Sequence, residues 1–540
     1  MEPVSFRFFL CKFRLYVSHY VNCDLIIDRE KRRWPLAQQV SAAFMHEAST
    51  PQEPAGSRKV LGDTVFTVAE RIISQAAQFT IFVVAARILG PAEFGIFALA
   101  SAGAILLLRV AEVGWAPFIM SQSGDSTVPR QVLLLAILAG IAVGAFGVAG
   151  SLLGGVVGLE PDTVLLLALF SIWVTLANTS SAQKGILIWS QRMKASAICE
   201  IIGELVGLCV AIGSLLMGWG ILALAFGRLS FQLTHLIISF GITRMTPLRG
   251  MDRNLLKELW TFSAQIFTSR LLINLRLYAA TFIIGGYLGP LAVGYFRAAD
   301  RLVSAVAEII AVPGQLLAWT LLRRARDNGD EAGQAERINK QVSLHFKVLV
   351  AAGTPVLVWL MIMSHELIGG MLSDEWLPAA PLVAILAISR LLFLFGIVTE
   401  PLLSIVGEAK RLPAFTVMVL IISVVLTYGA VQMGLYAVAW SQVVVAGLVL
   451  WATLWLFRKY AGVVWMDVAL SLRGSVLPLA CGIATLAALD WLARGMGIPD
   501  LVEALGFGLI AVGVYAFAIK VFDPEFWRQL KSGNQIGSDV

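Results

Sequence analysis

One twelve-residue pattern occurs twice in the chain, and it limits the folds available. Leu89-Gly90-Pro91-Ala92-Glu93-Phe94-Gly95-Ile96-Phe97-Ala98-Leu99-Ala100 is matched by Leu288-Gly289-Pro290-Leu291-Ala292-Val293-Gly294-Tyr295-Phe296-Arg297-Ala298-Ala299, with Gly90 and Gly289 lying 199 residues apart. In each copy a long apolar run ends at Leu-Gly-Pro and another begins at Gly followed by an apolar residue and Phe. The same offset superposes Arg71 on Arg270, and Glu112 with Pro117 is answered 196 residues later by Glu308 with Pro313. Shared charges and Pro-punctuated hairpins at nearly one offset indicate a duplicated unit.

The apolar runs identify the solvent. Segments of about 18 or more apolar residues recur from Val65 to Val521, each long enough to cross the hydrocarbon core as a helix. Of the 540 residues 58% are hydrophobic and 14% charged, with mean hydropathy +0.80. Soluble chains carry roughly 25% charged residues, so this one cannot cover itself with a polar surface. Membrane β-barrels need alternating segments of about ten residues, a pattern this sequence lacks. The fold class is therefore all-α and polytopic. About 14 spans are expected, near 65–89, 95–120, 131–155, 162–186, 197–217, 220–243, 262–287, 294–321, 343–367, 380–406, 412–431, 434–457, 474–493 and 501–521.

Residues 1–60 stand apart, with a mostly basic cluster at 28–33 and a turn-rich polar stretch at 49–54. They form an expected disordered cytoplasmic tail, and Met45 is an alternative start, since all that takes part in the repeat follows it. The division expected after the tail is a six-helix lobe over 61–243, an amphipathic linker over 244–261, a second six-helix lobe over 262–457, and two further helices with a tail over 458–540. In the linker Leu255, Leu256, Leu259 and Trp260 have helical spacing between charges, as in a helix lying on a membrane surface, while a solvated linker fits residues 244–250 equally well.

Alternate loops carry the basic residues Arg130, Arg192, Arg244, Arg249, Arg323, Arg324, Lys410, Arg411, Arg458 and Lys459, while the opposite loops carry Glu93, Glu160, Asp162, Glu366, Asp374 and Glu375, with Arg494 as their one basic residue. The positive-inside rule then places both termini in the cytoplasm. Six helices per lobe make the repeats parallel, related by an axis along the membrane normal.

Charges inside the spans are the candidate functional residues, because each costs roughly 2.5–3.5 kcal/mol to insert and those that persist usually face a cavity. Arg71, Ser74, Gln75 and Gln78 make a polar stripe on the first helix, and Ser263, Arg270, Asn274 and Tyr278 make one on its repeat, with Arg276 off it. Arg109 and Glu112 lie three apart on the second helix and can pair. Its counterpart carries Arg297, Arg301, Glu308 and Gln315 on one side, with Asp300 adjacent. Arg71, Arg109, Arg270, Arg297 and Arg301 are the candidate ligands of an anionic substrate, since guanidinium binds phosphate oxygens bidentately. Glu112, Asp300 and Glu308 have coupling or structural roles. The competing account is snorkelling at a membrane face for Arg71 and Arg270, and structural ion pairs elsewhere. Glu200, Glu204, Arg228 and His235 form a second polar set, for which pairing between helices is favoured over binding a coupling ion; Arg390 and Glu400 fit either account. The five cysteines have no C-x-x-C spacing. No phosphate loop, H-E-x-x-H or other cofactor motif occurs, so no cofactor, metal or nucleic-acid partner is expected.

Ala85-Ala86-Arg87-Ile88-Leu89-Gly90-Pro91-Ala92-Glu93-Phe94-Gly95-Ile96-Phe97 resembles the end of the first hairpin in the polysaccharide transport family of flippases, within the superfamily that also holds multidrug and toxin extrusion transporters and the lipid II flippase. The second copy departs from the pattern, with Val293 where Phe94 stands, and so does the long N-terminal tail. The resemblance implies two six-helix lobes around a central cavity that opens alternately to either side. It implies a polyprenyl-pyrophosphate-linked oligosaccharide as substrate, membrane lipids and further polysaccharide assembly proteins as partners, a bacterial inner-membrane location and no enzymatic step. Two alternatives are a cation-coupled multidrug-type exporter, which the arginines disfavour, and a membrane polymerase or ligase, which would need a large external loop.

Overall fold

In a computed structural model of the protein, residues 57–250, 253–327, 333–493 and 497–531 are described, and all of their long elements are helices. The expected tail with its basic cluster, and Met45, lie outside the described residues. The described residues from Phe66 onward belong to one compact unit. The helices are α1 Ser57–Ala111, α2 Trp115–Ser121, α3 Thr127–Val156, α4 Pro161–Trp189, α5 Met193–Leu216, α6 Leu222–Thr243, α7 Arg253–Asp327, α8 Gln334–Ile362, α9 Ser364–Met371, α10 Ala380–Phe393, α11 Thr399–Ile405, α12 Leu412–Val431, α13 Leu435–Ala461, α14 Trp465–Ala493, α15 Asp500–Phe522 and α16 Pro524–Lys531. Helices dominate because a backbone crossing hydrocarbon must satisfy its own N–H and C=O groups. Among the described residues twelve helical segments are long and apolar enough to span a membrane, and two of these, within α1 and α7, are broken by non-helical backbone at Gly90 and Gly289. The protein is a multi-pass membrane protein.

The two breaks have one geometry. Gly90 has φ 70° and ψ 171°, and Gly289 has φ 80° and ψ 177°. That region is open to glycine because it lacks a Cβ. Pro91 and Pro290 follow at the first position of the next helical arm, where a missing N–H costs nothing. The second glycine of each motif has a different task. A Cβ on Gly95 would lie 1.8 Å from the Pro290 carbonyl oxygen, and one on Gly294 would lie 1.9 Å from that of Pro91. The two turns thus touch backbone to backbone and reciprocally, as a local two-fold requires.

Apolar packing falls into two groups. One is built from residues such as Ala85, Leu108, Phe170, Val174 and Leu224, with a neighbouring cluster around Trp115, Phe118, Leu133 and Ile186. The other lies around Leu357, Trp376, Leu382 and Val438, and around Phe346, Leu402 and Phe457. Phe82 and Phe94 of α1 join the second group. Trp376, fully buried, meets Phe94 edge-on at 5.6 Å and donates from Nε1 to the Ala86 carbonyl at 2.9 Å. Arg87 adds hydrogen bonds to the Gly370 and Met371 carbonyls. The last two long helices dock on α8, where Trp359 Nε1 donates to the Ala504 carbonyl and the Tyr515 hydroxyl to that of Ala351.

Three expectations change in detail. The second span ends at Ala111, and Gly114 (φ 87°) turns the chain into the short α2. The span expected over 380–406 is interrupted by a 3-10 stretch at Leu394–Val398. Pro401 explains it, since its ring excludes the carbonyl four residues earlier and its missing N–H removes a helical bond. The linker is not a separate surface helix. Residues 244–250 are non-helical and pinned to α3, with Arg130 donating to the Thr246 carbonyl (2.9 Å) and Gln131 to that of Gly250 (3.0 Å). Helix begins again by Arg253 and runs into the next span without a break, with Leu259 buried and Trp260 exposed. Between α2 and α3 the Asp125 carboxylate accepts from the Thr127 hydroxyl and N–H, which hold its pKa below the usual carboxylate range.

Candidate functional site

The four arms that leave the two glycine turns carry all five candidate arginines, and counting residues from each turn gives their depth at about 1.5 Å per residue. Arg71, Arg109, Arg270 and Glu308 are each 19 residues from the glycine of their own turn, about 28 Å away. Arg297, Asp300, Arg301 and Arg276 lie 8 to 13 residues away, about 12–20 Å. The five arginines expected to share one cavity therefore occupy two levels. Spacing along a helix could reveal the shared face but not this separation.

At the level nearer the turns, Asp300 is the shared acceptor. Arg297 Nη1 reaches its Oδ2 at 3.0 Å, and Arg390 Nη2 from α10 reaches Oδ1 at 2.9 Å and the Ser304 hydroxyl at 2.9 Å. Arg297 also lies over the Tyr278 ring, 5.4 Å from its centroid. Arg276 and Arg390 are close enough to repel each other, and Arg276 Nε is buried without a partner. Arg301 feels Arg228, Glu308, Arg297 and Asp300. Among the described residues neither Arg276 nor Arg301 forms a salt bridge. This level keeps an excess of positive charge in a half-buried setting, where water screens it poorly.

The deeper level is nearly neutralised. Glu112, just past the end of α1, is buried and accepts from Arg109 of α1, from Arg270 Nη1 on α7 at 2.6 Å and from the Ser181 hydroxyl on α4 at 2.7 Å. Beside it the α2 region closes on α7, with Phe118 and Phe262 edge-on at 5.5 Å. Gln75 Nε2 reaches Glu308 Oε2 at 3.4 Å. Arg71 is exposed and forms no ion pair among the described residues. The arms are thus bridged at the turns and again near their far ends.

The second polar set resolves into contacts between helices. Glu200 lies 3.4 Å from Lys184 and 3.3 Å from His235 Nε2, while Ser180 bonds His235 Nδ1 at 2.5 Å. Glu204 accepts from Gln78 at 2.8 Å and feels Arg228 and Arg301, which ties it to the upper level. Glu400 accepts from Gln315 at 3.1 Å.

Sequence reasoning passed over Ser181, and it placed Arg276 off the stripe. A signal existed for the first: Asn178-Thr179-Ser180-Ser181 is a polar run inside an apolar helix. Its neighbours are also engaged, with Asn178 Oδ1 accepting from Trp115 Nε1 at 3.0 Å and Ser180 bonded to His235. No sequence signal pairs Arg390 with Asp300, 90 residues away.

Comparison with solved structures places the fold beside that of a lipid II flippase, MurJ, in an inward closed conformation, with TM-score 0.65 at 13% identity over 87% of this chain and 100% of that one. An inward-facing multidrug resistance MATE family transporter of the MOP superfamily gives 0.54 at 16% identity over 74% of this chain and 94% of its own. At such identities the likeness is one of fold. In sequence, the succinoglycan biosynthesis transport protein ExoT of Rhizobium meliloti (strain 1021) is 25% identical over 370 residues, 66% of this chain and 70% of its own length. The family model described as polysaccharide biosynthesis protein matches residues 84–381, which begin just before the first glycine turn and take in all but one of the candidate arginines. With more than half of its length matched, the chain belongs to the polysaccharide biosynthesis protein family.

Proposed function

We propose that the protein is a flippase that carries a polyprenyl-pyrophosphate-linked oligosaccharide across a bacterial inner membrane for surface or exopolysaccharide biosynthesis. The observation that carries this reading is the positive excess at the level nearer the turns, where Asp300 engages Arg297 and Arg390 while Arg276 and Arg301 form no salt bridge among the described residues. A pyrophosphate diester is a compact anion whose oxygens match guanidinium forks. Carrying it through hydrocarbon without a counter-charge would be prohibitive. The family assignment and the relative named as a transport protein of succinoglycan biosynthesis support the same class of cargo. Transport needs no covalent step, and the site holds charge and hydrogen-bond donors. On this reading the two helix groups are the lobes of the carrier, the four arms line its path, and the lobes part alternately at the turn end and at the Phe118–Phe262 end.

The direct test is reconstitution in vesicles with a short-chain fluorescent polyprenyl-pyrophosphate glycolipid in both leaflets. The protein is expected to expose inner-leaflet lipid to an external quencher faster than protein-free vesicles do. Transport of an amphiphilic organic cation with no effect on the glycolipid would sink the proposal in favour of a multidrug-type exporter.

Orientation follows from the basic residues at the end away from the turns, among them Arg130, Arg192 and Arg244. The positive-inside rule places that end and both termini in the cytoplasm, with Glu93 and Glu375 outside. Single cysteines replacing Ser373, near the turns, and Asn328, outside the described residues, in a cysteine-free background are expected to differ. An impermeant thiol reagent should label position 373 in intact cells and leave 328 unlabelled, and the reverse pattern would overturn the orientation.

A further inference from the structure

The lower-level arginines are held in a way that points to exchange. Glu112 follows the last residue of α1, its N–H closing the final turn on the Leu108 carbonyl at 2.7 Å. A carboxylate at a helix C-terminus meets the negative end of the helix dipole and is disfavoured there. Here it is buried as well, and Arg109 and Arg270 supply the compensation. Yet each guanidinium gives Glu112 only one nitrogen, Nη1 in both, and Arg109 Nε is buried with no partner. Arg270 keeps 35% of its side chain exposed. Two five-donor groups are thus turned toward one carboxylate by single contacts, with donors to spare that a tetrahedral oxyanion could take up.

The bond also spans the two helix groups. Glu112 and Ser181 belong to the N-terminal one, whereas Arg270 lies on α7. Close by, a Cβ on Gly114 would sit 3.5 Å from the Ile266 side chain, and Phe118 packs on Phe262. Transfer of Arg270 to another anion would remove the ion pair at this end and leave the long Gln75–Glu308 contact and apolar packing.

We infer that Glu112 is an internal counter-anion which holds Arg109 and Arg270 in the absence of cargo, and which the phosphate of the cargo displaces. The inference rests on the pyrophosphate reading above and adds a competition to it. Glu112 lowers the apparent affinity for the anion and, by reclaiming the arginines, promotes its release. It is a positioning residue that acts through the arginines.

The test uses the full-length protein in lipid nanodiscs with farnesyl pyrophosphate as the probe. Glu112→Gln keeps the size of the side chain and one acceptor oxygen and removes the charge. It is expected to tighten probe binding about tenfold, within the usual range for coupled sites, while slowing glycolipid translocation. Arg270→Gln is expected to weaken binding with Glu112 in place, and the Glu112→Gln, Arg270→Gln double variant should lose most of the gain. The Arg270→Gln measurement keeps the idea exposed should Glu112→Gln fold poorly. Unchanged or weaker binding by folded Glu112→Gln, or unchanged binding by Arg270→Gln, would overturn the counter-anion role. Arg301→Gln separates the two levels of argument. Weakened binding there beside unchanged Glu112→Gln would reject the inference and leave the pyrophosphate reading standing. Failure of the probe to bind the unmodified protein would reject both.

Discussion

Replacing Gly95 with alanine is expected to leave little folded protein and no export, while Gly103→Ala on the same helical arm is expected to be silent. The added carbon on Gly95 would sit 1.8 Å from the Pro290 carbonyl oxygen, and the same carbon on Gly103 meets nothing within 4 Å. The obstacle at Gly95 is backbone, which has no rotamer to offer, so the two turns must separate. Overpacking typically costs 1–3 kcal/mol and occasionally more; a clash between two backbones belongs at the upper end, about 3 kcal/mol or above. Separation would also strain the Trp376–Ala86 and Arg87–Met371 bonds at the same level. Gly294→Ala should behave like Gly95→Ala, since its added carbon would lie 1.9 Å from the Pro91 oxygen. Thermal melting of the detergent-purified variants and polymer export in cells are the measurements. Gly95→Ala with an unchanged melting temperature and full export would mean that the turns do not meet this way.

Arg301→Gln should produce the opposite signature, a folded protein that transports poorly. The guanidinium has no salt bridge among the described residues, so removing it strands no carboxylate. It would remove charge-assisted hydrogen bonds to the cargo, worth about 1.5–3 kcal/mol, equivalent to roughly a ten- to hundred-fold loss. Lysine should restore only part of this, because an ammonium lacks the bidentate fork. Arg297→Gln is expected to lower stability too, since Asp300 then keeps Arg390 alone. If Arg301 serves instead to hold Glu308, exchanging the two charges should restore function. Normal export by a well-expressed Arg297→Gln, Arg301→Gln double variant would remove both residues from the mechanism and leave Arg71 and Arg270 as the leading ligands.

Much of the fold was legible because bilayer length and the demands of the backbone leave few solutions. The Leu-Gly-Pro turns could be read as breaks from Gly90-Pro91 alone, whereas the reason for Gly95 could not, since its partner is 195 residues away. For the site, helical spacing found Arg297, Asp300 and Arg301 and the Arg109–Glu112 pair. It could not show that Glu112 also holds Arg270, because that contact depends on how α1 and α7 cross. Nor could it separate two levels of arginine, because every residue 19 positions from a turn looks alike until the turns are placed at one height. The surface helix expected over 247–260 fell short because the apolar spacing of Leu255 and Leu259 suits the start of a span equally well.

The mutual contact of the turns ties the histories of the two halves together. After a duplication the copies ordinarily drift apart, each answering to its own surroundings. Phe94 and Val293 now differ: Phe94 meets Trp376 edge-on, and the smaller Val293, at the matching position, is fully buried in the same apolar cluster. Gly95 and Gly294, with Pro91 and Pro290, have no such latitude, because each is the other's surroundings. A bulkier residue in either half is refused by the unchanged residue in its twin. The chain thereby constrains both of its copies at once at the place where their turns meet.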